Sequence, residues 1–263
     1  MKEAESLGLA FEKLAGIITR LRDPNGGCPW DIKQTHQTLK RHAIEEAYEL
    51  VEAIDQGPKA IAEELGDVLL QVLLHAQIGS DSGPAESRFS MLNVVQTLTN
   101  KLIHRHPHVF GDVQVKDAEE VLRNWETLKK SEKPERKSLL EGISPALPAL
   151  LRSHKQGEAV ARAGFDWWSA AGAKEKAVEE LKEFLEAKDE THAAEELGDL
   201  LFSLAQVARK MKLDAETVLQ AANSKFQKRF QAVEGLAQKP IKDLSPEELD
   251  KLWNQAKAAE KKA

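Results

Sequence analysis

The seven-residue word EELGDVL at residues 63–69 returns as EELGDLL at residues 195–201. A chain that writes nearly the same word twice, about half its length apart, is constrained to be two copies of one structural unit. Three further landmarks repeat in the same order. Trp30 precedes EExxE at Glu45, Glu46 and Glu49, and Trp167 precedes EExxE at Glu179, Glu180 and Glu183. After the repeated word, Lys101-x3-Arg105 is echoed by Lys225-x3-Arg229. Last, Trp125-x3-Lys129-x2-Glu132-Lys133 is echoed by Trp253-x3-Lys257-x2-Glu260-Lys261. The expected layout is a first copy over 1–133, a second over 148–263, and a charged, then proline-rich connector over 134–147.

Within each copy the apolar residues recur with a 3.6-residue period, interrupted by breakers such as DQGP (55–58), SDSGP (80–84) and AQKP (237–240). No run alternates with period two. Charged residues make up 30% and aromatic residues only 5%, a balance that also leans toward helix. The fold expected is all-α, a tandem repeat of two helical bundles. A net charge of −6 argues against a broad nucleic-acid-binding face, so nucleic acid is not an expected partner. Cys28 is the lone cysteine, so no intramolecular disulfide can form and a cytoplasmic location is expected. The start is charged and amphipathic, without a signal-peptide core. The apolar run from Val68 to Leu74 is far shorter than the roughly 20 residues that span a bilayer, so no membrane association is expected.

The repeated word also carries chemistry. On a helical wheel Glu63, Glu64, Asp67 and Gln71 share one narrow polar stripe, while Leu65, Val68, Leu69, Val72 and Leu73 cover the other side. In the preceding helix Glu45, Glu46, Glu49 and Glu52 lie opposite Ala43, Ala47, Leu50, Val51 and Ile54. Packed antiparallel across the DQGP turn, the two helices bring Glu46, Glu49, Glu64 and Asp67 together. Four carboxylates at a half-buried seam repel one another unless a cation joins them, and hard oxygen ligands suit Mg²⁺ or Mn²⁺. Gly66 and Gly198 sit at the border of the apolar stripe. A glycine there costs on the order of 1 kcal/mol relative to alanine, and the expected return is close approach of another helix.

EExxE followed within thirty residues by ExxD in the context EELGDLL resembles the MazG family of nucleoside triphosphate pyrophosphohydrolases. The flanking words LRDPNGGCPWD, KLIHRHPHVFGD, LPALLR, GFDW and NSKFQKRF are similar to those of its two-domain bacterial members, and the similarity covers nearly the whole chain. The resemblance implies an all-α, homodimeric, Mg²⁺-dependent enzyme that converts NTPs and dNTPs to the monophosphate and pyrophosphate. By the same resemblance, Glu180, Glu183, Glu196 and Asp199 hold the metal in the second copy, Lys225 and Arg229 hold the triphosphate, and Trp253 lies near the nucleotide. Their counterparts in the first copy are Glu46, Glu49, Glu64, Asp67, Lys101, Arg105 and Trp125. His192 occupies a position where family members can carry a lysine that contacts substrate. Glu180 is the expected catalytic carboxylate, positioning water against the phosphoanhydride.

Two other readings stand beside this one: a catalytically silent helical regulatory or interaction protein, and a relative restricted to one nucleotide, dUTPase-like or phosphoribosyl-ATP pyrophosphatase-like. Between the copies, Pro107 ends the first helix just after Arg105, while Arg229 runs on through Phe230. The first copy also inserts SDSGPAESRF before its basic pair. The second copy is therefore the expected main catalyst. His75 and His154 read as structural, and Trp167-Trp168 as a core plug at a helix start.

Overall fold

The computed structural model describes residues 2–132 and 137–260. Lys133 and Lys261 of the repeated Trp-Lys-Glu-Lys word, and residues 134–136 of the expected connector, lie outside the described residues. Every regular element among the described residues is helical. The chain divides into two compact units, Met1–Pro134 and Glu135–Ala263.

The first unit runs α1 (Lys2–Leu21), α2 (Pro29–Lys33), α3 (Lys40–Gln56), α4 (Pro58–Asp81), α5 (Met91–Arg105), α6 (Pro107–Phe110) and α7 (Ala118–Ser131). The second runs α8 (Ala149–Ala161), α9 (Ala170–Leu185), α10 (Glu190–Lys210), α11 (Ala215–Leu236) and α12 (Pro246–Glu260). Hairpin α3–α4 corresponds to α9–α10, α5 to α11, and α7 to α12, in the order of the repeated words.

The α3–α4 hairpin is tight because one glycine serves both helices. Gly57 adopts φ 106°, a left-handed conformation that ends α3, and Pro58 then supplies the first helical residue of α4. Its counterpart is looser. α9 ends at Leu185, and Asp189 starts α10 by accepting a hydrogen bond from the His192 backbone amide. Pro107 stops α5 directly after Arg105, whereas α11 continues seven residues beyond Arg229 to Leu236.

The two cores are built from different residues. In the first unit Ile18, Leu39, Leu73, Leu74 and Ile78 are buried together where α1 packs on α4. In the second, α8 packs on α10 through small residues. At Gly157 a Cβ would lie 1.8 Å from Gln206 Oε1, so any side chain there would displace the Gln206 amide. Gln206 is 1% exposed; its Nε2 donates to the Ser153 carbonyl at 2.7 Å and its Oε1 accepts from Arg209 Nε at 2.8 Å.

Two expectations about packing are corrected. A Cβ built on Gly66 or Gly198 meets no atom within 4 Å, so within the chain no helix makes the close approach that those glycines would permit. Trp168, in the irregular stretch two residues before α9, is fully exposed and plugs no core. Apolar side chains also remain uncovered along both hairpins, among them Val51, Ile54, Leu65 and Val72 in the first and Leu185, Leu197, Leu201 and Leu204 in the second.

Candidate metal centre

Residues three apart on a helix share a face, so Glu46 and Glu49 of α3 point the same way, and the antiparallel partner α4 brings Glu64 to meet them. One carboxylate oxygen from each lies within 4.8 Å of the others. Burial pushes the Glu46 carboxyl above the usual carboxylate range, and the charges of Asp67 and Glu49 push it further. Glu64 is raised by burial first, then by Glu49, Asp67, Glu63 and Glu46. Asp67 is outside the three-oxygen set yet close enough for its charge to act on both. Glu64 Oε2 is buried without a hydrogen-bond partner.

The second unit assembles the same three positions: Glu180, Glu183 and Glu196 each place an oxygen within 4.8 Å of the others. Asp199 is exposed and outside this set. Glu180 is 6% exposed, and Lys176 Nζ holds its Oε1 at 2.8 Å while also reaching Glu179 Oε1 at 2.7 Å. Hydrogen bonds to Glu179 and Glu180 raise the Lys176 ammonium above its ordinary value. Glu183 is raised by burial and then by the Glu180 charge. His192 Nδ1 accepts from the Lys188 backbone amide at 3.3 Å, which leaves the proton on Nε2, and that nitrogen lies 3.1 Å from Glu196 Oε1. The expected substrate contact His192 is thus seated on one of the clustered carboxylates.

The basic residues and tryptophans form a second constellation, again twice. Arg105 Nε donates to Glu132 Oε1 at 2.9 Å, and its guanidinium lies 5.8 Å from the Trp125 ring centre. Arg229 Nε donates to Glu260 Oε2 at 2.7 Å and lies 6.0 Å from the Trp253 ring centre. Lys101 and Lys225 are both exposed.

Four participants were given no role by the sequence reading. Lys176 stands four residues before Glu180, one helical turn, and that spacing was its signal. Glu132 and Glu260 were already inside the repeated word, but nothing local tied them to Arg105 and Arg229. Gln71, one turn beyond Asp67, donates through Nε2 to Glu46 Oε1 at 3.4 Å.

Each cluster fits a divalent cation. The donors are hard oxygens held within 4.8 Å of one another, and in the first cluster the buried Glu64 oxygen lacks any partner from the chain. An all-α unit with such a cluster on an antiparallel hairpin, and an Arg–Trp pair on its following helices, offers ligands for a hard cation and a cationic group for phosphate, the equipment of a class of protein that acts on phosphate compounds.

Comparison with known proteins gives the class its name. The MazG nucleotide pyrophosphohydrolase domain matches the chain twice, over residues 34–110 and 173–233. A Thermotoga maritima nucleoside triphosphate pyrophosphohydrolase/pyrophosphatase MazG is 45% identical, with 99% of each chain covered. An Escherichia coli nucleoside triphosphate pyrophosphohydrolase is 37% identical over 95% of this chain and 98% of its own. The uncharacterized Bacillus subtilis protein YabN is 46% identical over all of this chain and 55% of its own length. The chain belongs to the MazG family. It is a nucleotide pyrophosphohydrolase, and so a hydrolase.

Proposed function

We propose that this chain hydrolyses NTPs and dNTPs to the nucleoside monophosphate and pyrophosphate with Mg²⁺, for which Mn²⁺ can substitute, and that the second unit is the principal catalyst. The observation that carries this reading is the second acidic cluster with hydrogen-bonding partners already on it: the Lys176 ammonium on Glu180 and the His192 imidazole on Glu196. Glu180, Glu183 and Glu196 would hold the cation, with Asp199, one turn beyond Glu196, as the fourth carboxylate. The cation, when bound, neutralises charge on the departing pyrophosphate and makes water more acidic. Glu180 takes the proton of the attacking water. Its burial and its bond to Lys176 fix the carboxylate's direction for that task. Lys225 and Arg229 take the triphosphate, where their charge stabilises the leaving group as the α–β anhydride breaks. Incoming phosphate competes with Glu260 for Arg229, and Trp253 beneath the guanidinium faces the nucleotide.

In the first unit Glu46, Glu49, Glu64 and Asp67 retain a cation, while Arg105 and Trp125, with Lys101 nearby, form the matching phosphate side. The two domains are 1–133 and 148–263, joined by 134–147. The protein is a homodimer: the uncovered apolar residues of both hairpins need a partner surface, and a monomer at micromolar concentration in light scattering would contradict this. Nucleoside triphosphates are its small-molecule partners, and its location is cytoplasmic. No helix among the described residues is long and apolar enough to cross a membrane. Pyrophosphate release from each of the eight common NTPs and dNTPs, with and without EDTA, tests the proposal. Full turnover in chelator, or none with Mg²⁺, sinks it.

A further inference from the structure

A cavity of about 350 Å³ opens beside the first acidic cluster, with Val68, Val72 and Phe89 among its apolar walls and Glu46, Gln71 and His75 as its polar groups. That volume is within the range of about 300–1,000 Å³ typical of small-molecule sites. Gln71 is only 8% exposed, and its Oε1 is buried without a hydrogen-bond partner in the chain. A buried carbonyl oxygen that lacks a donor is rare in native proteins and points to a partner supplied from outside.

The surroundings are built to hold shape. His75 Nδ1 lies 2.8 Å from His36 Nδ1, and the two rings are nearly parallel with centres 5.1 Å apart, edge to edge. One proton between the two nitrogens forces opposite tautomers, so each ring is locked to its neighbour. Phe89 stacks in turn on His36 at 5.9 Å, and it sits where a Cβ on residue 79 would come within 2.6 Å of its ring, so Gly79 is what admits it. The second unit has no counterpart. Counting from the repeated word, Ser203 stands at the place of Gln71 and Val207 at the place of His75.

We propose that this cavity is a base-reading subsite peculiar to the first unit: it takes the planar heterocycle of a nucleotide, and Gln71 Oε1 accepts a hydrogen bond from an exocyclic amino group. The inference rests on the reading that Glu46, Glu49 and Glu64 retain a cation that meets the phosphates. Glu46 belongs to both cluster and cavity, which puts the phosphates and the base on adjoining sides of one residue. A base with a carbonyl in place of the amino group would set two acceptors face to face in an apolar pocket, and it is rejected for that reason.

The test uses the full chain labelled with ¹⁵N-histidine and the non-hydrolysable α,β-methylene analogues of ATP and ITP. With Mg²⁺ present, the ATP analogue should shift the His36 and His75 imidazole signals and bind about tenfold more tightly than the ITP analogue at this site. Gln71→Leu, close in shape, should bring the two analogues to equal affinity. The wild-type comparison stands alone should that variant misfold. A Mg²⁺-dependent response that is blind to the base overturns the subsite alone. No response to Mg²⁺ or to either analogue overturns both the subsite and the reading beneath it. Histidine shifts that follow protein dilution and ignore nucleotide assign the cavity to a second copy of the chain and overturn the proposal.

Discussion

The two acidic clusters share their carboxylate geometry and differ in what neutralises it. In the second unit Lys176 and His192 already sit on Glu180 and Glu196. In the first, Glu46 receives only the neutral Gln71 amide at 3.4 Å, and a Glu64 oxygen has no partner. The residue matching Lys176, four before Glu46, is His42, and it turns to Glu45 at 3.1 Å. Duplication therefore preserved the ligands while their environments diverged. A cluster with a built-in ammonium has part of its negative charge balanced by the chain itself; one without it depends more heavily on the metal and suits binding.

The largest effect that separates the clusters is catalytic. Glu196→Gln should keep the fold and lower turnover a hundredfold or more, because it removes a metal ligand and the partner of His192. Glu64→Gln, assayed on the same nucleotide, should leave turnover within a few-fold. If the first unit's variant abolishes activity and the second's does not, the assignment is backwards.

Much of what the two units share was legible in the chain. The repeat, the all-helical period and the pairing of EExxE with EELGD across a hairpin all follow from spacing, because helix geometry fixes which residues share a face. What was not legible was tertiary. Gly66 and Gly198 suggested close approach, yet nothing in the chain fills that space. His75 read as a lone structural histidine, but its partner His36 lies 39 residues away and is brought to it only by folding. Trp168 read as core because tryptophan usually is, and in the fold it stands in solvent.

A second difference lies where each hairpin's longer helix ends. The first unit ties this point with Arg22 and Asp81 at 3.1 Å. The second uses Asp166, which meets Arg209 at 2.5 Å and Lys210 at 3.0 Å. Hydrogen bonds from Arg209 lead in holding the Asp166 carboxyl down to about 2, from an ordinary 3.8. Its folded pKa is below its unfolded one, so the stabilisation is full above about pH 4 and fades as pH falls toward 2. Asp166→Asn should cost about 2 kcal/mol at neutral pH and almost nothing near pH 2, read by denaturant unfolding of the second unit. A cost independent of pH would mean that packing holds this corner, not charge.

Removing the built-in cation should erode the second cluster's advantage. Lys176→Met leaves Glu180 buried beside Glu183 and Glu196 without its ammonium. Turnover should fall about tenfold, with a higher Mg²⁺ requirement, since more of the neutralisation must then come from the metal. His42→Met, at the matching place in the first unit, should change neither. Equal losses would show that both clusters turn over substrate.

The smallest effect is on stability without metal, and there the two clusters should respond with opposite sign. In the first, ionised Glu46 is opposed by burial, Asp67 and Glu49, so the folded chain carries a penalty that the unfolded chain escapes. Its folded pKa is above its unfolded one, so that penalty is present above the folded pKa and relieved as pH falls through it. Glu46→Gln removes the charge and should raise the midpoint of heat unfolding in EDTA by on the order of 2 °C at neutral pH. The gain should shrink on acidification. Glu180→Gln deletes the partner of Lys176 and should lower the midpoint under the same conditions. Saturating Mg²⁺ should reverse the first result, because Glu46→Gln then forfeits stabilisation by the bound cation while wild type keeps it. Two variants that shift the midpoint in the same direction without metal would mean that Lys176 and His192 do not set the clusters apart.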